Sequence, residues 1–180
     1  SSFSFQIQKA MEALLNPDQS NRIKSLIDTL QLTKHPEGGF YAETYRSKKR
    51  TANNEGVLMT SIYFLLTSEN VSNFHRISND ELWFHHEGSP IVIHTLEDDM
   101  HKEYILGKAY NDACKPQHLV KGNTIFGSAV LEPNSYALVS CVVSPGFEFQ
   151  DFELFSYEEL IDKFPDEAEI IQRLTPKADK

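Results

Sequence analysis

Two cysteines, one tryptophan and no long apolar run set the first limits on this 180-residue chain. Cys114 and Cys141 have neither metal-type nor redox-type spacing. That excludes a disulfide framework, a zinc knuckle and a dithiol motif. Cys141 lies inside the apolar run Ala137–Val143 and reads as a small buried hydrophobe. No stretch approaches the ~18 apolar residues of a membrane helix. Positive charge is scarce, with 17 Lys and Arg against 26 Asp and Glu for a net −9. Polyanions are therefore poor partners, and neither nucleic acid nor an anionic membrane is expected. Glu148 to Lys180 carries much of the excess and reads as a solvated helical tail. Repeats, low-complexity tracts and linkers are missing, so one domain over 1–180 is expected. The opening Ser1-Ser2-Phe3-Ser4-Phe5-Gln6 lacks a basic n-region, which gives the expectation of a soluble, cytoplasmic protein.

What is present points to strands. Twelve Phe and seven Tyr are rich in ring-bearing strand formers. Two helices are expected first, over 5–15 and 21–32. In the second, Ile23, Leu26, Ile27 and Leu30 make one buried face. From Phe40 the period changes to two, with strands expected over 40–46, 58–67, 81–87, 90–97, 102–107, 117–120, 124–131, 136–143 and 147–155. Gly, Pro, Asn and Asp clusters separate them, including the hairpin connection Glu132-Pro133-Asn134-Ser135. Strands this dense, without helices between them, make an antiparallel sandwich or barrel. Ser156 and Glu159 form a capping box that opens a C-terminal helix, and Glu167–Leu174 continues the helical end after Pro165.

The segment with most chemistry runs from Phe74 to Gly88. It holds His75, Glu81, His85 and His86, the side chains that bind divalent metals or move protons near neutral pH. Its spacing resembles the first motif of the cupin superfamily, where His-x-His is followed by Glu and, seven positions later, by Gly. Glu81 and Gly88 keep that spacing, His75 stands at the first His, and Ile77 replaces the second. The second motif, Pro-x-Gly-x-x-His, resembles Lys121-Gly122-Asn123-Thr124-Ile125-Phe126, with Phe126 at the fourth ligand position. His35-Pro36-Glu37-Gly38-Gly39-Phe40-Tyr41, Glu43-Thr44-Tyr45-Arg46-Ser47, Thr60–Leu66 and Ser144-Pro145-Gly146-Phe147-Glu148-Phe149 through Leu154 resemble one subfamily, over roughly residues 25–175. The resemblance implies an all-β double-stranded β-helix, a jelly-roll-like barrel over about 36–155. A helical arm (about 5–32) and C-terminal helices (about 156–175) flank it. It also implies a pocket in the barrel mouth and a homodimer, but no settled activity. An immunoglobulin-like sandwich is the alternative fold, and it would leave His75, Glu81 and His85 apart.

A catalytic metal generally takes three protein ligands. His75 and Glu81 are the weak candidates here. Glu81 and His85 lie roughly 13 Å apart along one strand, too far to share an ion. No cofactor is expected. His75 and Glu81 also suit acid–base work, with His75 as base, Glu81 orienting it and Tyr63 as acid; a satisfied buried pair is the plainer option. Residues 81, 83 and 85 share one strand face, so Trp83 and His85 join Glu81, with Glu43 and Phe126 as further ligand-binding candidates. Glu43 and Arg46 fall on opposite faces of their strand, and Asp151 sits at a bulge near the end of the barrel. His35-Pro36-Glu37-Gly38-Gly39 reads as a tight turn rather than a phosphate loop. The function expected is binding of a small polar, carbohydrate-like or nucleotide-linked molecule by a metal-independent isomerase or epimerase. A non-catalytic binding or sensing protein is the alternative, and a metal-dependent oxygenase the third.

Overall fold

The computed structural model describes residues 3–7 and 17–177. Residues 3–7 are helical; the rest of the helix expected over 5–15 lies outside the described residues. Helix α1 (Pro17–Leu30) lays Ile23, Leu26, Ile27 and Leu30 on the first of two six-stranded sheets. No helix among the described residues is long and apolar enough to cross a membrane.

The first sheet contains β1 (Thr33–Lys34), β2 (Phe40–Arg46), β3 (Thr60–Thr67), β5 (Asp80–Gly88), β9 (Gln117–Val120) and β11 (Tyr136–Ser144). Its order is β1-β2-β3-β11-β5-β9. The second contains β4 (Val71–Arg76), β6 (Ile91–Glu97), β7 (Met100–Leu106), β8 (Cys114–Lys115), β10 (Ile125–Val130) and β12 (Glu153–Leu154), in the order β12-β4-β10-β6-β7-β8. Nearly all the pairing is antiparallel, the exception being β7 with β8. Between the sheets lies a buried core that includes Phe64, Trp83, Ile93, Phe126, Val139 and Cys141. Burying each large apolar side chain contributes roughly 1.5–3 kcal/mol, which makes this inner layer the main source of cohesion.

Two expectations fail here, each for a local reason. β4 is absent from the strands read from sequence, because Ser72 and Asn73 weaken its pattern. The strand expected over 147–155 is instead a 3-10 turn (Phe149–Asp151) followed by the two residues of β12. Helix α2 (Tyr157–Lys163) starts at the expected cap, where Ser156 Oγ accepts the Glu159 N–H at 3.2 Å. With α3 (Ala168–Arg173) it covers the outer face of the second sheet, packing Leu160, Ile170 and Ile171 onto Phe74 and Leu96.

Candidate functional site

The turn ahead of β2 sets up the site. His35 N–H donates to the Gly39 carbonyl at 2.9 Å and Gly38 N–H to the His35 carbonyl at 3.0 Å, the tight turn expected from the two glycines. Gly38 has φ +113°, and a Cβ there would stand 1.9 Å from the Val71 carbonyl oxygen. Only glycine lets the turn lie against β4 this closely. Asn73 N–H donates to the Glu37 carbonyl at 2.8 Å and completes the docking. The result carries the Glu37 side chain into the barrel beside His75.

His75 Nε2 meets Glu37 Oε2 at 3.0 Å, and His75 Nδ1 meets the Asn73 carbonyl at 2.8 Å. Both acceptors call for N–H, so the ring carries two protons and is an imidazolium. Burial opposes charge on both partners, but their mutual attraction and hydrogen bond prevail. Glu37 is held below the usual carboxyl range and His75 above the usual imidazole range. A buried ion pair results.

Glu81 lies on the opposite sheet, at the start of β5. Its Oε1 accepts the indole N–H of Trp83, and it makes no hydrogen bond to His75. Burial comes first in raising its carboxyl to about 7; His75 pulls the other way, and Glu37 adds to the rise. Near neutral pH this acid is half ionised, while the pair beside it stays charged. His35 differs again. Its Nδ1 accepts the Glu37 N–H at 3.1 Å, which puts its proton on Nε2, and burial lowers its pKa so that it stays neutral.

These groups line a cavity of about 150 Å³. Its walls are largely aromatic and aliphatic: Tyr41, Ile62, Phe64, Ile77, Trp83 and Val143. Phe147, Phe149 and Phe152 form a lip, with Phe147 and Phe149 edge-to-face at 4.9 Å between ring centres. Arg46 holds that lip in place. Its guanidinium donates to Glu148 Oε1 at 2.7 Å, the Phe147 carbonyl at 3.0 Å and Glu43 Oε1 at 2.8 Å. A register shift between Glu43 and Tyr45 puts Arg46 on Glu43's side and turns Tyr45 out to solvent. Opposite faces for Glu43 and Arg46 were therefore the wrong expectation, because one extra residue inverts strand alternation.

Of the candidates read from sequence, His75, Glu81, Trp83 and Glu43 line the cavity. Phe126 lies behind it, its ring 4.2 Å from that of His75. Tyr63 and His85 are elsewhere. Ile62 and Phe64 face inward, so alternation turns Tyr63 out beneath α1. His85 sits toward the far end of β5, with Nε2 at 2.8 Å from the Ser89 carbonyl. Asp151 lies in the 3-10 turn, where it lines a separate shallow depression. Sequence reasoning missed Glu37, His35 and the aromatic lip. The paired glycines after Glu37 were the available signal, since close approach of backbones is what they permit.

The positions where cupins hold a metal do not fit one here. Ile77 and Phe126 offer no donor atom, both His75 nitrogens are engaged, and one Glu81 oxygen is bound by Trp83.

Proteins of similar sequence share this architecture. A family model described as Cupin superfamily (DUF985) matches residues 24–155. The uncharacterised protein YML079W of Saccharomyces cerevisiae is 30% identical over 161 residues, covering 79% of this chain and 80% of its own. The crystal structure of protein SO0799 from Shewanella oneidensis is 39% identical with a TM-score of 0.80, over 86% of this chain and 97% of that one. A hypothetical protein from Leishmania major is 33% identical with a TM-score of 0.78, over 86% and 98%.

Proposed function

The chain belongs to the Cupin superfamily (DUF985) family, and we propose that its barrel binds a small, uncharged polar molecule and moves a proton beside a carbonyl group of it. The reaction class is isomerisation or epimerisation of a sugar-like substrate. The observation that carries this reading is Glu81, a buried carboxyl poised at about 7, facing the charged Glu37–His75 pair in one aromatic cavity. A general base works best when its pKa lies near the working pH.

This division of labour reverses the one expected from sequence. His75 has no free nitrogen with which to accept a proton, and Glu37 holds it. Glu81 has one oxygen fixed by Trp83 and the other available to a ligand. In its ionised form Glu81 takes the proton from the carbon next to the carbonyl, and the electron pair moves onto the carbonyl oxygen. The cationic His75 and the neutral His35 N–H supply favourable potential for that oxygen. Glu81 then returns the proton: in an isomerase to the neighbouring carbon, while the hydroxyl proton on the first carbon passes to the former carbonyl oxygen, and in an epimerase to the other face of the same carbon, after the planar intermediate has turned over in the cavity. No charge is left over in either case.

Size narrows the ligand. Drug-sized pockets are roughly 300–1,000 Å³, and about 150 Å³ accommodates a single small ring or shorter chain. A nucleotide attached to it would lie outside, across the aromatic lip.

The test is incubation with candidate keto-sugars in deuterated water, followed by proton NMR. Label at the carbon beside the carbonyl is the expected result, and Glu81→Gln must abolish it. Saturable binding without label overturns catalysis in favour of a binding or sensing role.

A further inference from the structure

A second polar cluster lies on the other face of the second sheet, outside the barrel. β6 and β7 form a hairpin that pairs His94 with Glu103 and Leu96 with His101. Ile93 and Tyr104, beside them, pack against the inner core, so alternation turns His94, His101 and Glu103 outward together. His94 is buried, His101 half-buried, and Glu103 opens to solvent. Among the described residues this is the one group of His, Cys, Asp or Glu with three donor atoms within 4.8 Å of one another.

The distances define a site. His94 Nδ1 and His101 Nε2 are 2.8 Å apart, and Glu103 Oε1 is 3.7 Å from the first and 3.8 Å from the second. The point equidistant from three atoms so spaced lies about 2 Å from each, which matches zinc–nitrogen and zinc–oxygen bonds. Without an ion, two ring nitrogens face each other over a single shared proton. With one, both lone pairs have a common acceptor. We propose that His94, His101 and Glu103 bind one zinc ion on the outer face of the second sheet, with water or a neighbouring carboxylate as the fourth ligand.

The surroundings support this. Two imidazoles and a carboxylate form a donor set suited to zinc, whereas magnesium and calcium prefer oxygen throughout. The adjoining depression is lined by Asp166, Glu167 and Glu169 against a single cation, Arg173. The local field therefore attracts a divalent cation. Glu167 Oε1 accepts the backbone N–H of His101 at 3.4 Å, which places a further carboxylate beside the cluster. Because Glu167 immediately precedes α3, the same contact ties the C-terminal helices to the edge of the cluster.

Zinc titration of the chelator-treated full chain by calorimetry tests the site, alongside cobalt absorption spectra and thermal melts. Wild type is expected to bind one equivalent, to give a tetrahedral cobalt spectrum and to melt higher with zinc. His101→Ala and Glu103→Gln should each weaken zinc binding at least about a hundredfold, more than loss of an outer-shell partner typically does. Glu81→Gln, in the barrel, should bind zinc like wild type. Circular dichroism of each variant confirms the fold. Absence of saturable zinc binding overturns the proposal. Zinc binding unchanged in His101→Ala, or lost in Glu81→Gln, does so as well.

Discussion

The two faces of the second sheet carry the same kinds of side chain and do different things with them. On the inner face, His75 meets Glu37 at 3.0 Å among aromatic rings, with neutralisable Glu81 across the cavity. On the outer face, His94 and His101 meet each other, and their carboxylate stays 3.7–3.8 Å away at the solvent edge. Inside, the nearest carboxylate satisfies the imidazole, so no lone pair is left for a metal. Outside, the carboxylate is too far to take the proton from either ring in a hydrogen bond, and the two rings hydrogen-bond to each other instead. The difference is one of spacing and burial rather than of composition. Low dielectric strengthens the inner pair and moves Glu81 toward neutrality, whereas the outer carboxylate stands in water.

The sharpest way to break this contrast is at one carboxylate from each cluster, Glu81 and Glu103. Glu81→Gln keeps an oxygen for the Trp83 N–H and loses the proton acceptor. Exchange or turnover is expected to fall about 10²–10⁴-fold, the usual contribution of general acid–base catalysis. Glu103→Gln should leave that activity unchanged. Deuterium wash-in rates of both variants, measured side by side, decide it.

Next in size is the inner ion pair. Glu37→Gln leaves a buried His75 without its anion, at an expected cost of about 3–5 kcal/mol near pH 6. Urea unfolding of wild type and variant reads this directly. A loss below about 1 kcal/mol would mean that the pair is not charged in the folded protein.

The third prediction concerns pH and follows from Glu81. Its folded pKa, about 7, exceeds the ordinary carboxyl value of 4.5. The stabilising contribution is whole below pH 4.5 and is lost as pH rises to about 7. Integrated over that window it is on the order of 3 kcal/mol. Glu37 and His75 contribute slopes of their own. Glu37, held low, loses its contribution as pH falls through its folded pKa, and His75, held high, loses its own as pH rises through its folded pKa. Comparing wild type with Glu81→Gln isolates the Glu81 component. The variant should gain stability relative to wild type between pH 5 and 8, as measured by unfolding at several pH values, roughly by the amount above. A constant difference across that range would refute the raised pKa.

Smallest is the metal-free effect at the outer cluster. Glu103 is 58% exposed, so Glu103→Gln should change stability by no more than about 0.5 kcal/mol without zinc. Thermal melts in chelator check it. A large loss there would make the outer cluster a structural pair like the inner one.

Much of this molecule is legible in short stretches of sequence. Period-two alternation predicted that Glu81 and Trp83 share a face, and both line the cavity. The capping box at Ser156 and Glu159 marked the start of α2, and the i, i+3, i+4 face of Ile23, Leu26, Ile27 and Leu30 marked a packed helix. The spacing from Glu81 to Gly88 pointed to the barrel. All of these are local, because backbone geometry fixes which side chains share a face within a few residues. What tertiary structure alone decided is who meets whom. Glu37 reaches His75 only because a glycine turn docks on a strand whose sequence barely announces itself. Arg46 closes over the lip only because one register shift reverses its side, and Tyr63 lies beneath α1 because that helix packs on the outer face of its sheet. His94 finds His101 across a hairpin. Sequence patterns determined the faces; the packing of distant segments determined which charges became partners, and so where a proton can move and where an ion can sit.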